Sequence, residues 1–112
     1  QDSNGRDAIM IAIEKNDESL VSLLIQHLKS SKVKGNQDKD ERSAIHWVVW
    51  PFIFGSFENT KILDLLLKNK FHFDLKDKFN RTPIDLALMQ ESGKMIKVFE
   101  EHGIKIPSKG NF

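Results

Sequence analysis

Ser43 and His46 stand three residues apart, a hydroxyl and an imidazole at a spacing that would set a base beside a nucleophile. The pair also opens the apolar run Ala44-Ile45-His46-Trp47-Val48-Val49. There a serine is a good helix N-cap and the residue three positions on supports it, so cap and support is the reading preferred to part of a triad. His27, His46, His72 and His102 show no His-x-x-x-His spacing and the chain has no cysteine, so no metal site is expected. Carboxylates are plentiful, but none is marked by an apolar setting that would raise its pKa for acid–base work. Lys109-Gly110 follows Pro107 with no helix after it, which does not make a phosphate-binding loop. These residues predict a protein that is not an enzyme and uses no cofactor or metal.

The scaffold that must position them is small. At 112 residues, 39% hydrophobic and 29% charged, the composition is that of one globular domain. The longest apolar run, Val48 to Phe54, is far short of a membrane span, and no signal-peptide pattern is present. The absence of cysteine leads to the expectation of an intracellular setting, cytoplasmic or nuclear. A net charge of +1 gives no argument for nucleic acid or an anionic membrane. The lysines at 29, 32, 34 and 39 are interrupted by Asp38, Asp40 and Glu41, which reads as a solvated loop. Because the sequence begins at Gln1, it is expected to be a piece of a larger protein.

Three segments share one design. Openings at Asp7, Ser43 and Thr82 are separated by 36 and 39 residues, and each opening residue is a competent N-cap. Pro83 suits the first helical position and Asp85 can reach back to Thr82 as in a capping box. Second apolar stripes follow at Leu20-Val21-x-Leu23-Leu24-Ile25, Ile62-Leu63-x-Leu65-Leu66-Leu67 and Met95-Ile96-x-Val98-Phe99. Gly103 suits a left-handed helix end, while Gly5 and Asn80 suit positive-φ turn positions. The excess length falls in polar Ser30 to Gln37 and in Pro51 to Glu58.

Thr82-Pro83-Ile84-Asp85-Leu86-Ala87 resembles the Thr-Pro-Leu-His-x-Ala opening of an ankyrin repeat, whose period is about 33 residues. Asp7-Ala8-Ile9-Met10-Ile11-Ala12 and Ser43-Ala44-Ile45-His46-Trp47-Val48 are weaker copies. The resemblance implies an all-α ankyrin-repeat solenoid with repeats at about 2–37, 38–76 and 77–106, an enlarged loop in the second, and a tail at 107–112. Val48-Val49 stand where the family favours paired alanines, which is expected to splay or shift that repeat. The resemblance also makes His46 a loop-bridging histidine and Trp47 a core residue.

The family's variable surface comprises turn tips and late first-helix positions lining a concave face. Carried over, this gives Arg42, Trp50, Phe54, Phe79, Arg81 and Met89 as partner-binding residues, with aromatics as apolar anchors and arginines pairing with acidic or backbone acceptors. The phenylalanine-rich insertion has an equally open reading, in which Phe52 and Phe54 fold back over the valines. The leading expectation is a protein–protein interaction module that binds a protein or extended peptide. The alternatives are a targeting or regulatory module of a multidomain enzyme, and a methyl-lysine reader caged by Trp50, Phe54 and Phe79. Continuously apolar Ala8 to Ile13, set against Lys94, Lys97, Glu100 and Glu101 in the last helix, predicts a monomer or a weak dimer through the N-terminal repeat.

Overall fold

The computed structural model describes residues 5–28, 31–49 and 59–106. Within them the chain forms α1 (Ala8–Glu14), α2 (Glu18–Gln26), a 3₁₀ turn (Ser31–Gly35), α3 (Ala44–Val49), α4 (Thr60–Lys68), α5 (Pro83–Met89) and α6 (Gly93–Glu101). The described residues contain no strand, only a single bridge between Gln37 and Ser43, so the fold is all-α. Trp50, Phe54 and the rest of the insertion between α3 and α4 lie outside the described residues, as does the tail.

None of these helices exceeds nine residues, and helices shorter than about 12 residues are marginal alone in water. Local capping and tertiary packing therefore have to hold them. The caps recur at every described start. Asp7, Asp17, Ser43, Asn59, Thr82 and Ser92 each accept a hydrogen bond from the backbone N–H three residues on. Thr82 and Asp85 complete a reciprocal capping box, with Pro83 in the first turn.

Packing follows the order of the chain. Helix α1 lies on α2, α3 on α4, and α5 on α6; α3 touches both α1 and α5, and α4 touches both α2 and α6. The result is elongated, 40 × 27 × 26 Å. Ile9, Met10, Ile45, Leu63, Leu66, Ala87, Met95 and Phe99 form the centre of one continuous apolar core. Val48 takes the register that Ala12 and Ala87 hold in the flanking helices, and all three are buried. The larger side chain is thus accommodated inside the core, with α3 in contact with both neighbours. Among the described residues, no helix is long and apolar enough to cross a membrane.

Candidate interaction surface

Two five-residue turns, 38–42 and 77–81, precede α3 and α5 and have the same construction. In each, the aspartate N–H donates to the carbonyl of the arginine four residues on, at 2.9 Å, and the aspartate carbonyl accepts from the residue three on, also at 2.9 Å. The carboxylate then holds the turn from within. Asp38 Oδ1 accepts from the N–H groups of Asp40 and Arg42 at 2.8 Å, and Asp77 Oδ1 accepts from Phe79 and Arg81 at 2.9 Å. Both aspartates are buried. Burial works to raise the Asp77 pKa, but donors from the Arg81 backbone and guanidinium and the Phe79 backbone outweigh it and keep the pKa below the ordinary carboxylate value.

Closing such a turn requires a left-handed residue at its fourth position. Glu41 (φ 63°) and Asn80 (φ 64°) occupy it, and Gly5 (φ 74°) stands at the corresponding place before α1. A side chain at Gly5 would also bring its Cβ to 2.9 Å from the Lys39 backbone nitrogen, so the first turn packs directly on the second. Further bonds cross between turns. Lys78 N–H donates to the Asp40 carbonyl at 2.9 Å, and Gln37 Nε2 donates to the carbonyls of Glu41 (2.7 Å) and Lys76 (3.1 Å).

His46 locks the second helix pair to the third. Its Nδ1 accepts from Ser43 N–H at 3.0 Å and lies 2.8 Å from Ser43 Oγ, while Nε2 lies 2.7 Å from the Arg81 carbonyl. A carbonyl can only accept, so Nε2 carries the proton and Nδ1 is bare. Burial lowers the His46 pKa; the Arg81 carbonyl bond and the charges of Asp77 and Asp38 oppose it without overcoming it, and the ring is neutral. The Ser43–His46 distance would suit a nucleophile and its base. With Ser43 at 1% and His46 at 0% exposure, and both ring nitrogens engaged, no substrate reaches the pair. Among the described residues no three His, Cys, Asp or Glu side chains converge on a possible metal site.

Trp47 lies in the core, its Nε1–H donating to Asp38 Oδ2 at 2.9 Å. The guanidinium groups of Arg6 and Arg42 lie 5.6 and 5.4 Å from its ring centre.

The residues expected to meet a partner divide into two kinds. Phe79 and Met89 are open, at 62% and 61% exposure, one at the tip of the third turn and the other at the last residue of α5. The cations are already engaged within the chain. Arg42 pairs with Asp40 and Asp38, Lys78 pairs with Asp40 at 3.0 Å, Arg81 binds Asp77 through Nε and an amino nitrogen at 3.1 and 3.0 Å, and Arg6 pairs with Glu14. Asp40 is held below the usual carboxylate pKa first by the Lys78 hydrogen bond; burial opposes this, and the Arg42 hydrogen bond and charge add to the lowering. Arg81 and Lys78 also lie 4.9 and 5.2 Å from the Phe79 ring centre. The arginines expected to reach toward a partner's acids thus have acids of their own. The two turn aspartates that bind them are absent from the sequence-derived site; the repeated Asp-x-x-x-Arg spacing before Ser43 and Thr82 is the signal that marks them.

No model of a known protein family matches the chain, and no curated protein matches it.

Proposed function

We propose that the chain is an ankyrin-type repeat scaffold without enzymatic activity, and that it binds a protein or an extended peptide along its turn tips and first helices. Three features support the scaffold reading. The helix pairs follow one another in chain order, the turns before α3 and α5 share one hydrogen-bond pattern, and His46 bridges neighbouring turns. The exposure of Phe79 and Met89 carries the binding reading. They are two of the three large hydrophobics left open among the described residues, and both belong to the third pair's turn and first helix.

Because the flanking cations are paired internally, the contact offered there is apolar and nearly neutral, suited to aliphatic or aromatic side chains. A Phe79 ring already approached by Arg81 and Lys78 is a poorer wall for a methyl-lysine cage than for a peptide side chain. The test is capture from the native source with the wild-type chain and with Phe79→Ala/Met89→Ala, both checked by thermal melting. Partner loss at unchanged Tm supports the reading, whereas equal capture by the double variant defeats it.

A further inference from the structure

On the second helices, α2 and α4 leave between them a groove of about 520 Å3 lined by Glu18, Ser22, Leu23, Lys61, Leu65 and Lys68. Their N-terminal ends meet, Asn59 Nδ2 donating to Asn16 Oδ1 at 2.6 Å, so the two helices run in the same direction. Leu23 is 50% exposed here, while Val98 at the same register of α6 is buried. The apolar run of α1 offers no comparable patch: Ile9, Met10, Ala12 and Ile13 are all buried. The charges along the groove are asymmetric. Glu18 stands at the first residue of α2, while α4 carries Lys61 at its second residue and Lys68 at its last. Among the described residues these three make no ion pair, and Asp64 is taken by His102 at 2.7 Å.

We propose that this face is self-complementary and docks a second copy of the chain as a weak two-fold dimer, α2 of each copy lying over α4 of the other. Face-to-face packing of two parallel helices allows two kinds of two-fold axis. An axis across the helices lays each one antiparallel on its own counterpart and brings Lys61 toward Lys68 of the second copy, which is repulsive. An axis along the helices lays α2 over α4 in the same direction. It sets Glu18 against Lys61 and Leu23 against Leu65 of the second copy, and symmetry repeats both contacts. Both arrangements cover the open leucine, but only this second one pairs the groove's free acid with a free base. A patch two helices wide falls below the roughly 1,200 Å2 that stable interfaces bury, so the dimer is transient. It leaves Phe79 and Met89 open and stands independently of what they bind.

Sedimentation over a concentration series reaching the millimolar range tests this on the intact chain. A monomer–dimer equilibrium is expected, weakened about tenfold or more by Leu23→Asp at unchanged Tm. Glu18→Lys should weaken it similarly, and Glu18→Lys with Lys61→Glu should restore it. A strict monomer throughout the series overturns the proposal, and so does a dimer indifferent to Leu23→Asp. A charge swap that fails to restore association overturns the axis. Phe79→Ala/Met89→Ala is the control: loss of the dimer there would place the contact on the turns and defeat the assignment.

Discussion

His46 Nε2 and the carbonyl oxygen of Arg81, 35 positions apart in the chain, lie 2.7 Å from each other and join two helix pairs through a neutral ring. The same ring accepts the Ser43 N–H on its other nitrogen, as the Asp85 carboxylate accepts the Thr82 N–H one helix pair later. A histidine can do what that aspartate does and also reach the neighbouring turn.

Removing the ring should therefore be costly. His46→Ala deletes a fully buried side chain, opens a cavity, and leaves the Ser43 N–H and the Arg81 carbonyl without it. A loss of about 2–4 kcal/mol is expected in denaturant melts, since cavity and unmet hydrogen bonds add. A loss below about 0.5 kcal/mol would mean that the bridge is not made in solution.

The same ring sets a pH dependence. Its folded-state pKa lies below the ordinary 6.5, mainly because burial disfavours the imidazolium. Below 6.5 the unfolded chain takes up a proton that the folded chain does not, so the contribution is complete above 6.5 and is lost as pH falls from there toward the folded pKa. Melts of wild type and His46→Ala across this window should converge as pH drops. Asp77 adds a separate loss at lower pH: its folded pKa is below 3.8, so its contribution is present above 3.8 and vanishes as pH falls through the folded value. Curves that stay parallel over the histidine window would show that His46 titrates alike in both states.

What the sequence reveals here is local chemistry. Asp7 and Thr82 cap α1 and α5 as their spacing predicts, and Asn80, Gly5 and Gly103 all take positive φ. The amphipathic stripes place α2, α4 and α6 correctly because a short helix needs a buried face to exist. The turn carboxylates escape notice for the opposite reason. Asp38 finds two of its donors in its own turn's backbone and a third on Trp47, nine residues away and in register only once α3 has folded. Arg42 and Arg81 look like free tip cations when each is read alone, because a single aspartate two or four residues away is too common to signal pairing; only the repetition of the Asp-x-x-x-Arg spacing marks it. Glu41 in a left-handed conformation has no residue-level signal, as glutamate has no preference for it; the turn around it imposes the geometry.

That strain makes an opposed pair of substitutions informative. A left-handed conformation costs a non-glycine residue roughly 1–2 kcal/mol, part of which glycine's greater unfolded-state entropy offsets. Glu41→Gly should therefore stabilise by about 0.5–1 kcal/mol. Gly5→Ala should destabilise, because its φ is 74° and its Cβ would press on the Lys39 backbone nitrogen at 2.9 Å. Chemical melts of both variants decide this, and a destabilising Glu41→Gly would show that the turn is not held left-handed there.

The internal pairing of the tip cations leads to a prediction about salt. If Arg42, Arg81 and Lys78 served a partner's acids, those acids would have to displace Asp38, Asp40 and Asp77, two of which are buried against their arginines. Displacement leaves a buried carboxylate unpaired, which costs several kcal/mol and exceeds what a rim ion pair returns. The partner's affinity should then come from apolar cover of Phe79 and Met89 and change by less than about threefold between about 50 and about 200 mM salt. A nucleic acid held by several phosphate contacts would lose affinity by orders of magnitude over that range. Calorimetric titration of the captured partner at the two ionic strengths distinguishes the cases. A steep loss with salt would show that the turn cations leave their aspartates on binding and would move the energetic centre of the surface from Phe79 to Arg81.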